Sequence, residues 1–568
     1  MELNAVTRSV GDIFSLNKRY LVPRFQREYS WGPEEVDEFW DDITQQVKIS
    51  RKGVPTNEEY FIGCIVLVGE DSKRDYLIVD GQQRLTTLTI LLRAIVARLQ
   101  ALGDDAAAKA LYENVIEGTD NDGKEYFKLV NESPKPYFQN ELQSFTPEGL
   151  KIAETEEEIL LQSAYTSFTK SLKNLKFGTQ SPLDSVKTLR TEVLSYLKFI
   201  LVTAKSEDDA YTIFETLNAR GLSLTSVDLI KNWIFKNYSK THPNDNAKEI
   251  WGEIRRSISD FSNLETFFRH YWNSKYSFSS DDRLYKSFND FRKTGKIKPA
   301  RDFLLEIKEA SRRYRMIGAP AAADWPLLKE KVVGRSLNLI NQHKVTQVRP
   351  FLLALIECRK NKVVDETAFV KTIINLENFH FVFSRLCQDR ASGLEGKYTR
   401  AAKNLHLAGS NKIKAKQVLK DLYEYLLSKR PKPDRIVAAV SDLKFDKNFD
   451  GHKKTIQLVF SKIEQHLQRT NELLVGDFSL EHIRDQSSKD SDVARIGNLI
   501  PLDESLNNKI KQGSTFKEKK LVYKKSSFKL TKDLVATFTK DDWTKTQIRT
   551  WETEIGNLLC QASELKKI

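Results

Sequence analysis

YLIVDGQQRLTTL, residues 76–88, decides the reading of the first part of the chain. Its opening residues, rich in branched and aromatic side chains, read as a strand that ends at Asp80. Gly81 permits a sharp turn. Leu85, Leu88, Leu92, Ile95, Val96 and Leu99 then recur at helical spacing on one face. Gln82, Gln83 and Arg84 therefore sit at the mouth of a helix. Such a mouth offers N–H groups without intrahelical partners and a partial positive charge, so it attracts phosphate. Arg84 adds a fork that matches phosphate geometry. Asp80 can hold a metal ion or orient a water, and either glutamine can position an attacking water. For an isolated DGxxR, a cap in which Asp80 and Arg84 pair with each other is the competing reading.

Working outward, YFIGCIVLVG (60–69) reads as a second strand, and EDSKRD (70–75) closes a hairpin between the two. PEEVDEFWDDITQQV (33–47) has helical spacing, with Pro33 suited to the first position. Upstream of it, VPRFQREYSW (22–31) carries a second Gln-Arg pair, Gln26-Arg27, beside Tyr29. A third segment, FETLNARGLSL (214–224), places Asn218 and Arg220 before Gly221, for which a positive φ is expected. Thr225 and Asp228 have capping-box spacing for the next helix. Residues 100–430 are mainly helical in pattern, with a further strand expected inside TEVLSYLKFILVTA (191–204). SKRPKPD (428–434), with two prolines in a polar run, marks the last boundary. The expected division is 1–238, 239–430 and 431–568, in an α+β chain that is predominantly helical.

The chain has 568 residues, a formal net charge of +13 and a pI near 9.2, which favours a polyanionic partner. Four scattered cysteines without a CxxC pair argue against a disulfide framework or a cysteine zinc site. Any bound ion is then expected to use oxygen ligands and one or two imidazoles, as Mg²⁺ or Mn²⁺ does. No signal peptide and no membrane span is read, and a cytoplasmic location is expected. Between Lys509 and Lys529 stand eight lysines and one acid, Glu518. They read either as a solvated surface or as a phosphate-contacting flank, with Lys509, Lys511, Lys519 and Lys520 as DNA-binding candidates.

That flank follows LEHIRDQS, with Glu481 and His482, then IGNLIPL with Asn498 and LNNKI with Asn507. Metal-assisted phosphodiester hydrolysis in an HNH-type centre needs a carboxylate and a later polar ligand for a divalent cation. It also needs a histidine base and a residue that orients it. Glu481 and Asn507 fit the ligand roles, His482 the base and Asn498 the orienting group.

The two halves resemble those of the GmrSD-type, modification-dependent (type IV) DNA restriction enzymes. VPRFQREYSW, DGQQRLTTL and FETLNARGLSL, over residues 8–238, are similar to the family's N-terminal domain. Residues 432–555 are similar to its C-terminal HNH-type domain. The resemblance implies an N-terminal fold related to the ParB and sulfiredoxin nucleotide-binding domains and a ββα-metal nuclease fold at the other end. It carries a nucleoside triphosphate site, for GTP or ATP, onto Gln26, Arg27, Tyr29, Asp80, Gly81, Gln82, Gln83, Arg84, Asn218 and Gly221. No P-loop motif is present. The expected function is an antiphage endonuclease acting on modified phage DNA, with nucleotide hydrolysis coupled to nicking or cleavage; a homo-oligomer is left open. The family often has proline where Asp485 stands. A nucleotide-gated scaffold with a decayed nuclease, or a nuclease acting on RNA, are the alternatives.

Overall fold

The computed structural model describes residues 3–24, 26, 28–50, 54–70, 72–132, 136–145, 150–205, 225–239, 245–280, 283–390, 392–447, 449–468, 478–485 and 491–568. Arg27, Asn218, Arg220 and Gly221 lie outside these residues. The chain is α+β and mostly helical, with a mixed six-stranded sheet in its N-terminal part. It divides into two compact units, Met1–Gly252 with Phe288–Leu305, and Glu253–Ser287 with Glu306–Ile568. Among the described residues, no helix is long and apolar enough to cross a membrane.

In the first unit the strands run side by side in the order Leu3–Ser9, Leu197–Ala204, Tyr60–Val68, Asp75–Asp80, Arg19–Val22 and Leu129–Asn131. The expected hairpin is present, with Val66 opposite Asp80 and Val68 opposite Leu77. The strand expected within 191–204 is Leu197–Ala204, and it pairs parallel to Tyr60–Val68. The position of the site follows from the other end of the sheet. Arg19–Val22 is parallel to both Asp75–Asp80 and Leu129–Asn131, so the three chains leave the sheet at one edge. The ends of parallel strands are where open sheets of this kind receive ligands.

The period changes from strand to helix at Gly81, which has φ +93° and caps the helix Gln82–Ala101. A Cβ at that position would also meet Ile65 at 3.0 Å. The helix is buried along most of its length, with Leu85, Leu88, Leu92 and Ile95 in the main core of the unit. The helices Pro33–Gln45 and Glu156–Asn174 add Val36, Phe39, Leu161 and Phe168 to the same core. Thr225 and Asp228 form the expected capping box at the start of Ser226–Asn237.

In the second unit, Lys412–Lys429 ends at the expected linker, and Pro433–Ser441 begins with Pro433 in its first turn. Arg430, in the turn between the two helices, donates to the Cys560 carbonyl and the Ser563 hydroxyl, both at 3.1 Å. The turn is thereby held against the helix Lys545–Ala562 and its end. That helix packs on Pro433–Ser441 and on Lys453–Gln468 around Ile456, Phe460, Trp551 and Ile555.

Candidate active site and nucleotide cleft

Where these parallel strands end, Gln26, Tyr29, Gln82 and Gln83 line one cleft, together with Asn131, the last residue of the third strand. Gln83 ties the first two motifs together. Its Oε1 accepts from Ser30 N at 3.0 Å, and its Nε2 donates to the Glu28 carbonyl at 3.1 Å. Gln26 donates to the Ile78 and Val79 carbonyls, and Tyr29 shares a 2.8 Å hydrogen bond with Thr87. Burial pushes the Tyr29 hydroxyl well above its ordinary range, against the Thr87 bond. It therefore stays a neutral phenol at physiological pH.

The charged residues of this cleft, Arg24, Glu28, Glu132, Glu157 and Lys248, were not among the candidates read from the sequence. Lys248 bridges Glu28 at 3.1 Å and Glu157 at 3.4 Å. Neither Lys248 nor Glu157 stands near a motif in sequence, so no local signal marks them. Arg24 lies inside the first motif. Its guanidinium pairs with Asp245 through two bonds of 2.8 and 2.9 Å and donates to the Phe235 carbonyl. The motif thus carries a structural anchor as well as ligand candidates.

Arg84 corrects an expectation. Its Nη1 donates to the Cys64 carbonyl at 2.9 Å under Gly63, and it is not among the cleft-lining residues. Asp80 also lies outside the cleft lining and acts on the Cys64 thiol. Burial first, and Asp80 second, push that thiol up to about 11 against the pull of Arg84. Asp80 and Arg84 therefore flank Cys64, and the glutamines face the cleft.

In the second unit, Ser479–His482 and Leu499–Leu502 form an antiparallel hairpin, with His482 opposite Leu499, followed directly by the short helix Glu504–Asn507. This order brings Glu481, His482, Asp485, Asn507 and Lys511 onto one cleft of about 460 Å³. His482 Nε2 lies 2.9 Å from the Phe445 carbonyl, and the ring stacks on Phe445. A carbonyl only accepts, so Nε2 carries the proton and Nδ1 is the basic nitrogen. Burial holds the imidazole pKa below its ordinary value, with the carbonyl bond opposing.

Asn498 is fully buried and works on the backbone beyond His482. Its Oδ1 accepts from Arg484 N at 2.8 Å, and its Nδ2 donates to the Arg484 and Val493 carbonyls. It fixes the loop that leaves the strand, without a bond to the His482 ring among the described residues. Asp485, at the position where the sequence departs from the family pattern, accepts from Gly513 N at 2.9 Å. A side-chain staple between the two loops stands where a proline ring would stiffen one.

The lysine flank also needs correcting. Lys509 and Lys511 are exposed, as a phosphate contact requires. Lys519 and Lys520 are buried. Lys519 Nζ donates to Glu481 Oε1 at 2.8 Å and to the His482 carbonyl at 2.7 Å. Lys520 pairs with Asp541 and with the Thr539 and Lys540 carbonyls. The signal was available: the helix Phe516–Tyr523 places Phe516, Lys519, Lys520 and Tyr523 at i, i+3, i+4 and i+7, one buried face.

Glu481 and Asn507 supply hard oxygen donors to the cleft, a set that fits Mg²⁺ or Mn²⁺ better than a softer ion. The Lys519 and Tyr523 bonds to Glu481 both fall on Oε1, which leaves Oε2 to a cation. Among the described residues, no three His, Cys, Asp or Glu side chains group closely enough to hold an ion. Water and a substrate phosphate would complete the shell.

Gly497 sets the distance between the hairpin and its supporting helix. A Cβ there would stand 2.1 Å from the Ile548 carbonyl oxygen. Arg495, two residues earlier, pairs with the buried Glu552 on the same helix. Gly497→Ala is expected to lower stability by about 1–3 kcal/mol through overpacking and to weaken cleavage in parallel, since Asn498 is its neighbour. Denaturant unfolding of the two proteins measures this. A variant as stable as the parent would show that the close approach is not needed.

His482 thus stands beside Glu481 on a hairpin, with Asn507 at the end of the helix that follows. Comparison with known families gives the class of the protein. Residues 10–235 match the N-terminal domain of the GmrSD restriction endonucleases, and residues 431–558 match their C-terminal domain. The chain belongs to the GmrSD restriction endonuclease family, with both domains on one polypeptide. No curated protein matches it.

Proposed function

We propose that the chain is a modification-dependent DNA restriction endonuclease in which nucleoside triphosphate binding in the first unit controls strand cleavage at the Glu481–His482 cleft. The observation that carries the cleavage reading is the Nε2 bond of His482 to the Phe445 carbonyl. It leaves Nδ1 as a base beside the cleft that Glu481 and Asn507 line. His482 would take the proton from the attacking water. A divalent cation held by Glu481 and Asn507 would supply charge stabilisation at the scissile phosphate. Exposed Lys509 and Lys511 would pair with flanking phosphates, which makes DNA binding steeply salt-dependent.

The nucleotide reading rests on the cleft at the mouth of Gln82–Ala101, where Gly81 provides no side-chain cap. First-turn amides there suit a phosphate. Gln26, Tyr29, Gln82 and Gln83 would surround it, with GTP or ATP as the ligand. Gln83→Ala should weaken triphosphate binding by roughly tenfold, because it releases the Ser30 and Glu28 backbone held at the cleft. The controlling experiment cleaves modified and unmodified versions of one duplex, with and without nucleotide, at fixed salt and Mg²⁺. Cutting of the modified duplex alone, altered by nucleotide, is expected. Equal cutting in all four conditions would mean that nothing is sensed.

A further inference from the structure

A cavity of about 840 Å³ opens within the second unit and shares no lining residue with the Glu481–His482 cleft. Helices that precede the nuclease domain, Leu328–Gln342 and Glu366–His380, form one wall. Lys453–Gln468, inside that domain, and the residues from Gln561 to Lys567 form the other. Its basic residues Arg335, Lys462, Lys566 and Lys567 outnumber its acids Glu377 and Glu564.

Two of these groups are incompletely satisfied. Glu377 is 4% exposed; its Oε2 accepts from Lys462 Nζ at 2.7 Å, and its Oε1 is buried without a hydrogen-bond partner among the described residues. Arg335 is half-buried and makes no hydrogen bond or ion pair with a described residue. Burial draws its pKa down, with only the through-space field of Glu377 opposing. A buried acceptor without a donor and a half-buried cation without an anion are both unfavourable until something meets them. The surrounding structure is firm. Asn375 donates to the Lys566 carbonyl at 2.8 Å and accepts from Lys566 N, and Asn378 donates to the Glu564 carbonyl.

We propose that this cavity binds a phosphorylated small molecule of mononucleotide size, its phosphate on Arg335 and an N–H donor of its base on Glu377 Oε1. The guanidinium fork matches a phosphate, and the excess of basic residues favours a dianion. The volume is that of a small-molecule site and far exceeds a lone phosphate. A ligand there would touch helices on both sides of the boundary at 431, and so would join the nuclease domain to the helices before it.

The test uses the full chain and GMP, AMP, guanosine and inorganic phosphate as probes, in equilibrium dialysis. Gln83→Ala is the background, so that binding in the first unit is weakened, and the Arg335 variants assign the binding that remains. Saturable binding of GMP or AMP, tighter than that of guanosine or phosphate alone, is expected. Arg335→Gln should weaken it by roughly tenfold or more, and Arg335→Lys by less. Unchanged affinity in Arg335→Gln, or no saturation by either nucleotide at millimolar concentration, would overturn the proposal. Both outcomes leave the triphosphate reading of the first unit untouched.

Discussion

Replacing His482 by glutamine is expected to lower strand cleavage by roughly 10²–10⁴-fold, the usual contribution of a positioned base. Glutamine is the informative choice. It keeps an N–H donor for the Phe445 carbonyl, which His482 Nε2 meets at 2.9 Å, but has no basic nitrogen. Alanine would remove base and donor together, and would leave a gap against Phe445 as well. A nicking assay under Mg²⁺ or Mn²⁺, with thermal unfolding alongside, separates lost chemistry from lost structure. A His482→Gln protein that folds and cuts like the parent would remove His482 from the catalytic role.

The largest effect on stability is expected at Asp245. Arg24 and Asp245 are 1% and 6% exposed at their side chains, and Asp245 also accepts from Ala247 N at 3.0 Å. Asp245→Ala would leave a guanidinium buried without its anion, at a cost of about 3–5 kcal/mol. Replacing both partners with apolar residues, Arg24→Met with Asp245→Leu, should recover much of that, because no charge is then left buried. Denaturant unfolding of the single and double variants measures it. A single variant as stable as the double would mean that water reaches the guanidinium and the pair is not buried in solution.

The strand–turn–helix at 76–88 was legible because both periods are local and only glycine suits the turn between them. The capping box at Thr225 and the hairpin around residues 70–75 were legible for the same reason. What sequence could not supply was distance between segments. Lys248 meets Glu28 and Glu157 from far along the chain, and Arg24 finds Asp245 more than two hundred residues away. The direction of Arg84 was also hidden. A residue at a helix mouth can turn toward the ligand side or toward the neighbouring strand, and the Cys64 carbonyl takes it. In the second unit, the hairpin came only through the family resemblance carried by Glu481, His482, Asn498 and Asn507, which implied a ββα arrangement. The lysine run misled, since counting charge ignores which face of Phe516–Tyr523 each residue occupies.

The Arg24–Asp245 pair also bears on how this protein is cut into pieces for study. A fragment that stops at residue 238, just past the last matched position of the N-terminal family domain, keeps Arg24 and discards its carboxylate. It also discards Lys248, the cation between Glu28 and Glu157 at the cleft. Such a fragment would be expected to express poorly, and a negative result with it in a nucleotide-binding assay would be misread. A fragment carried through Gly252 retains both residues.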